Sequence, residues 1–322
     1  MTKRQAPRSE QQVFADLATL CRRPGYVHAV AHFCFRDNVI LYAGAMTEAD
    51  MRKMFSPSRL IRTEINTLLG LMIKTDIDWN LPSPAKVHEY MDATEELLEE
   101  LHHSMSGEFG SSLTKEAVES DLNPFERGEV LREPIFYGGE AAYIFQYLEL
   151  ATRKYAADSQ WLQANRGFTI DHATRVAKAV DGVHSDRFDT FREHLQRQHP
   201  DEWTMLPLFA CTADEVAVKA NLATEIVERV LGAFELPSKE RNEGFKALHD
   251  FNVITAMPLL RMPSGEFLSL QGYTLAEAMY EAPHHWMYQD EVYRSTLSKN
   301  RGDFTEDFVA ERLGLVFGSE RV

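Results

Sequence analysis

Apolar residues at helical spacing are the feature that most narrows what this chain can become. Leu60, Ile61, Ile65, Leu68, Leu69 and Met72 form one stripe, and Val87, Met91, Thr94, Leu98, Leu101 and Met105 form another. Recurrence at three and four residues places each set on one helix face, which must be buried against a neighbour. The second stripe follows Ser83 and Pro84, a residue tolerated in a helix's first turn because its missing N–H has no partner there. A shorter amphipathic helix is expected from Ser9 to Cys21, ended by Arg22, Arg23, Pro24 and Gly25.

The segments between these helices read differently. Val27 to Phe35 alternates as a strand does, and Arg36, Asp37 and Asn38 suit a turn into Val39 to Tyr42, so an antiparallel hairpin is expected over Val27 to Tyr42. Thr47 is a helix cap ahead of Glu48. Ser104 to Ser112 has the composition of a linker. Gly138 and Gly139 precede an aromatic helix through Tyr155, where Tyr143, Phe145 and Tyr147 imply burial on more than one side. Helices follow over Thr169 to Val180, Asp186 to Gln198 and Thr274 to Tyr280. Val253 to Met262, the turn Pro263, Ser264, Gly265, and Glu266 to Leu270 predict a second antiparallel pair. The expected fold is α+β, predominantly helical with two short hairpins, a winged-helix-like unit and an incomplete C-terminal α/β domain. The expected segments are residues 1–107 (hairpin plus helices), 108–200 (helical), 201–282 (winged-helix-like) and 283–322 (connecting helix and the start of that last domain).

The formal charge of −15 comes from 49 acidic against 34 basic side chains, and its field opposes a general affinity for polyanions. Three widely spaced cysteines, Cys21, Cys34 and Cys211, fit reduced thiols in a cytoplasmic protein rather than a disulfide framework. The basic start is not followed by an apolar signal core, and the most apolar run, Leu68 to Ile73, is far short of the roughly twenty residues a membrane span needs. No membrane association is expected.

Thr212 to Phe234 carries the spacing of a helix-turn-helix: small Ala217 where the helices approach, Asn221 at the turn, and Val227 and Val230 packing the second helix. A hairpin after such a pair resembles a winged helix. A DNA-reading second helix needs Arg, Lys, Asn or Gln facing bases and phosphates, yet this one sets Arg229 beside Glu225 and Glu228. Protein contact is the expectation.

Other chemistry is sparse. His28, His32 and Cys34 share a face of the expected strand, with Cys21 upstream, but match no compact zinc spacing. The pairs His102/His103 and His284/His285 are adjacent on helices, where side chains diverge by about 100° and cannot easily share an ion. Glu95, Glu96, Glu99 and Glu100 form a solvated helix face. Glycine-rich phosphate loops, a Walker lysine, a Gly-x-Ser-x-Gly elbow and Cys-x-x-Cys are all missing from the sequence.

Arg301 to Val322 reads as the opening of a domain left uncompleted: Asn300 or Asp303 as cap, Phe304, Phe308, Val309 and Leu313 as a helical stripe, then Gly314 and Gly318 around Leu315 to Phe317 as the entry to a strand. This pattern resembles the first helix of restriction-endonuclease-like nucleases, with Glu306 in the glutamate position. The resemblance implies a front, non-catalytic portion of a bacterial nuclease-related protein, serving regulation, sensing or assembly. Glu306 is then the single candidate catalytic residue. Mg²⁺ and nucleic acid would enter only with a downstream core carrying the Asp and Glu-x-Lys ligands, so the chain as given is expected to be inactive. A protein partner or self-association would cover the apolar face. The alternative is a complete acidic helical adaptor or transcription-associated protein whose winged-helix-like unit contacts protein.

Overall fold

The computed structural model describes residues 8–38, 47, 59–106, 142–318, 320 and 321. It is a predominantly helical α+β protein with one small antiparallel sheet. Two compact units divide it: unit 1 comprises Met1–Ala141, Phe191–Pro207 and Pro237–Ile254, and unit 2 comprises Ala142–Thr190, Leu208–Leu236 and Thr255–Val322.

Unit 1 is built on α1 (Glu10–Cys21), α2 (Tyr26–Asn38), α3 (Arg62–Met72) and α4 (Pro84–Ser106). Ser9 caps α1 through a capping box with Gln12, each side chain bonding the other's backbone N–H. Both α1 and α2 pack on α3 and α4. The α4 stripe is buried as its spacing requires, at Met91, Thr94, Leu98, Leu101 and Met105. Within that core the Tyr26 hydroxyl meets Thr94 Oγ1 at 2.7 Å, and Tyr90 donates to the Pro24 carbonyl at 3.0 Å.

The hairpin expected over Val27 to Tyr42 is corrected here: residues 26–38 are helix, and 39–42 lie outside the described residues. The physical reason is burial. Tyr26, Val27, His28, Ala29, Val30 and Ala31 are buried without interruption, so α2 has core on several sides and lacks the one-faced periodicity that marks a surface helix. Alternating β-branched and aromatic residues were then the stronger local signal, and tertiary packing overrode it. The Thr47 cap and Gly138–Gly139 precede or fall in segments outside the described residues.

Unit 2 contains α5 (Ile144–Lys154), α6 (Ser159–Arg166), most of α7 (Ile170–Gln196), a turn of helix α8 (Leu206–Phe209) partly within it, β1 (Ala210–Cys211), α9 (Ala213–Ala220), α10 (Thr224–Ala233), β2 (Leu260–Arg261), β3 (Phe267–Leu268), α11 (Gly272–Tyr288) and α12 (Arg294–Phe317). The sheet order is β1-β3-β2, antiparallel throughout, with Ala210 opposite Leu268 and Leu260 opposite the same residue. The antiparallel pair expected within Val253 to Leu270 is therefore present, turning through Gly265 at φ +91°.

Four expectations in this unit are corrected. α5 is one-faced: Tyr147, Leu148 and Ala151 are buried, while Tyr143 and Phe145 are exposed and stack on each other at 5.8 Å. The helices expected over Thr169 to Val180 and Asp186 to Gln198 are one continuous α7. Gly182 lowers helix propensity by about 1 kcal/mol without ending a helix, and here it admits the Lys219 stem, whose Cδ would lie 3.0 Å from an added Cβ. α11 runs through Pro283 to Tyr288 rather than stopping at Tyr280. The Tyr155 hydroxyl enters its ladder there, accepting from His284 N at 3.2 Å and donating to the Tyr280 carbonyl at 2.6 Å, so a bond disturbed next to proline is replaced. Finally, Asn300 and Asp303 lie inside α12 instead of capping it, and Leu315 to Phe317 are its last turn instead of a strand entry. Gly314 is absorbed into the helix, and Gly318, at φ +88°, ends it.

Candidate functional site

Two features of unit 2 carry candidate function: the α9–α10 pair with its hairpin, and α12 with the polar cluster beneath it. Thr212 caps α9 through a capping box, its Oγ1 accepting from Glu215 N at 3.2 Å and Glu215 Oε2 accepting from Thr212 N at 2.8 Å. Asn221 makes the turn in the left-handed region at φ 51°, ψ 53°, which asparagine tolerates better than most residues. Arg175 on α7 donates to the Ala220 and Asn221 carbonyls at 2.6 and 2.8 Å, satisfying the end of α9. Val216, Ala217, Val227, Val230 and Leu231 close the inner face.

The outer face has the opposite character. Glu225, Glu228, Arg229 and Gly232 of α10 are exposed, as is Val218 of α9. Three cations near the pair are engaged internally: Arg187 with Glu215, Lys219 with Asp186, and Arg261 with Glu235. Among the described residues no hydrogen bond or ion pair engages Glu225 or Glu228. The hairpin loop, Met262 to Glu266, adds no lysine or arginine.

Under the first turns of α12 sits a buried charge. Asp158 is fully buried; its Oδ1 accepts from the Tyr293 hydroxyl at 2.8 Å and Asn300 Nδ2 at 2.6 Å, and its Oδ2 pairs with Arg301. The Arg301 guanidinium lies 4.6 Å from the Tyr155 ring centre, while its buried Nε and Nη1 have no acceptor among the described residues. Burial, aided by the hydrogen bond to Asp158, raises the Tyr293 phenol to about 12. Lys154 lies 3.7 Å over the Tyr280 ring and donates to the Tyr280 carbonyl, and desolvation lowers its pKa against the pull of Glu281.

Glu306, the sequence candidate for catalysis, is exposed on α12, and no described hydrogen bond or ion pair engages it. Among the described residues no group of three or more His, Cys, Asp or Glu side chains is placed to hold a metal ion. His28 and His32 stand four residues apart on a helix, correcting the shared strand face, and His28 is fully occupied: Nδ1 lies 2.7 Å from Thr204 Oγ1 and Nε2 3.1 Å from the Trp79 carbonyl. Cys21, Cys34 and Cys211 are buried free thiols, and desolvation pushes Cys21 and Cys211 up to about 12, away from nucleophilic chemistry. Glu95 pairs with Arg36 and Glu100 with Arg8, on the partly exposed side of α4. An open cleft of about 540 Å³ in unit 1 is lined by Lys74, Thr75, Asp76, Arg241 and Glu243, charges of both signs that select no ligand charge.

Two helices joined at Asn221 were readable because the turn is local. The Asp158 cluster was missed. Its partners lie 135, 142 and 143 residues away, and no spacing rule links them. No protein-family model matches the chain, and no curated protein or solved structure matches it. Among the described residues no helix is long and apolar enough to cross a membrane.

Proposed function

We propose that this chain is a regulatory or assembly module that works through protein contact, with α9, α10 and the β2–β3 pair forming a winged-helix-like unit that engages protein rather than duplex DNA. The observation that carries this reading is the outer face of α10. Where a DNA-reading helix would present donors, it presents Glu225 and Glu228 with the lone Arg229, while Arg175, Arg187 and Lys219 are drawn into internal contacts. Carboxylates against a phosphate backbone oppose the counterion release that drives nucleic-acid binding. Exposed Val218, and the exposed stripe of Val309, Leu313, Val316 and Phe317 on α12, supply apolar surface of the kind that marks protein interaction. Buried free thiols support a cytoplasmic setting.

The test is a titration of labelled duplex with the chain at several salt concentrations, beside sedimentation of the chain alone and with Leu313→Asp and Val316→Asp. Absence of submicromolar duplex binding together with association lost in the variants supports the reading. Tight duplex binding that weakens steeply with salt overturns it.

A second reading rests on the resemblance of residues 302–322 to restriction-endonuclease-like nucleases and is favoured by one observation, the solvent-facing Glu306 on a helix whose apolar stripe is exposed. In it the chain is the non-catalytic front of a Mg²⁺-dependent nuclease, and the remaining ligands come from outside residues 1–322. The helical state of Leu315 to Phe317 departs from the helix-then-strand order of that resemblance. Comparing Mg²⁺-dependent cleavage by this chain and by an extended form, with and without Glu306→Ala, tests it. Activity only in the extension, lost in the variant, supports it; activity of the extension indifferent to Glu306→Ala removes this residue.

A further inference from the structure

α12 is held by an unusual balance. Of its twenty-four residues Leu297 alone is buried, and beyond Arg301 only Phe304, Phe308 and Gly314 are even half-buried. α11, which it follows, buries nine. Against this small apolar contact stands the Asp158 cluster. Every side-chain donor to that carboxylate, from Tyr293, Asn300 and Arg301, belongs to α12 or the residue before it.

The physics of such a cluster sets it apart from a hydrophobic contact. Ions taken out of water lose hydration roughly comparable to what their attraction returns, so a buried pair specifies geometry more than it stabilises. Among the described residues Arg301 Nε and Nη1 face no acceptor, so the docked state does not return all that the guanidinium gives up on leaving water. When α12 lifts, Asp158 and Arg301 exchange each other for water, and the losses are small contacts: Leu297, the Tyr293 ring on Trp161 at 5.7 Å, Arg301 over the Tyr155 ring, Arg294 on Tyr288, half-buried Phe304 and Phe308, and Arg153 with Glu311 and the Phe308 ring.

We infer that the Asp158 cluster is a latch, and that Arg294–Phe317 opens from unit 2 as one body without unfolding the α7–α11 core. Opening presents Leu297, Arg301 and the half-buried Phe304 and Phe308 beside the apolar residues of α12 that are already exposed, under either reading of function.

Native-state hydrogen exchange on the full chain, in low concentrations of denaturant, tests it. Amides of Leu297 to Arg301 are bonded within α12, which frays once its docked face is lost; they are expected to exchange through this opening with weak denaturant dependence, at least about tenfold faster than Val176 to Val180 of α7, which should follow global unfolding. Asp158→Asn should speed exchange at Leu297 to Arg301 by a further tenfold or so and leave Val176 to Val180 within about twofold. The double variant Asp158→Leu with Arg301→Leu, which replaces the ions by apolar contact, should slow the opening below that of Asp158→Asn. A single denaturant dependence shared by both segments in the unaltered protein overturns the latch, and that measurement needs no variant to fold. Equal acceleration of both segments by Asp158→Asn overturns it as well.

Discussion

Each unit buries a polar network, and the two networks differ in charge and completeness. In unit 1, Asn242 Nδ2 donates to the Gly70 carbonyl and to Asn252 Oδ1, Asn252 Nδ2 donates to the Asn66 carbonyl, and Val253 N and Ile254 N donate to the two asparagine oxygens, at 2.7 to 3.3 Å. That network is neutral, and its amide groups find partners within the unit. In unit 2, Asp158 and Arg301 bring charge inside and leave two guanidinium nitrogens unmatched. Histidines repeat the contrast. His28 of unit 1 engages both ring nitrogens, whereas the buried Nε2 of His184 in unit 2 has no partner among the described residues. A neutral, fully bonded network ties α3 to the 242–254 segment as part of the core, while a charged, incompletely bonded one holds an element that can leave.

The largest effect expected from this contrast is at Gly70. A Cβ there would lie 2.6 Å from Asn252 Cγ, forcing the amide off its bonds within a packed core. Gly70→Ala should lower the stability of unit 1 by about 3 kcal/mol, combining overpacking with unmade hydrogen bonds; urea denaturation that shows less than about 1 kcal/mol would mean the network is dispensable and dissolve the comparison.

Acidification should come next. Burial holds the His184 imidazole down at about 4, against an ordinary value of 6.5, with Arg187 adding to the effect. The unfolded chain therefore binds a proton that the folded one refuses between those limits. Stability is full above about pH 6.5, falls as pH drops toward 4, and loses roughly 3 kcal/mol from this group. His184→Gln should flatten that part of the stability-versus-pH curve, and an unchanged slope would assign the acid loss elsewhere. His28, whose pKa burial also lowers, contributes with the same sign.

Asp158→Asn sharpens the comparison by its smallness. Removing one member of a buried pair ordinarily costs about 3–5 kcal/mol, but a helix that can detach limits the loss to its own docking energy, so global unfolding should shift by under about 1 kcal/mol while α12 loses protection. A global loss of the full size would place α12 in the same cooperative core as α7. Smallest of all, Glu306→Ala should change thermal stability by less than about 0.5 kcal/mol, as expected for an exposed helix position; a larger loss would show that Glu306 has a structural partner in solution.

Much of this architecture could be read in advance, for reasons that are local. The α4 stripe, the turn at Asn221 and the turn at Gly265 each act within one or two helical turns or one hairpin. Where the reading failed, the deciding contact was distant. α2 became a helix because neighbours enclose it on several sides, α7 runs on through Gly182 where Lys219 packs, and α11 passed Pro283 where Tyr155 mends its ladder.

The sequence by itself determined a predominantly helical α+β protein, the position of most helices, and the carboxylates Glu225 and Glu228 on α10. Only the tertiary structure decided which buried polar groups meet: Asn252 with Asn66 across 186 residues, and Arg301 with Asp158 across 143. The reason is that periodicity and capping are set by bonds within a few residues, whereas a buried donor or charge must take whatever partner the packed chain brings to it.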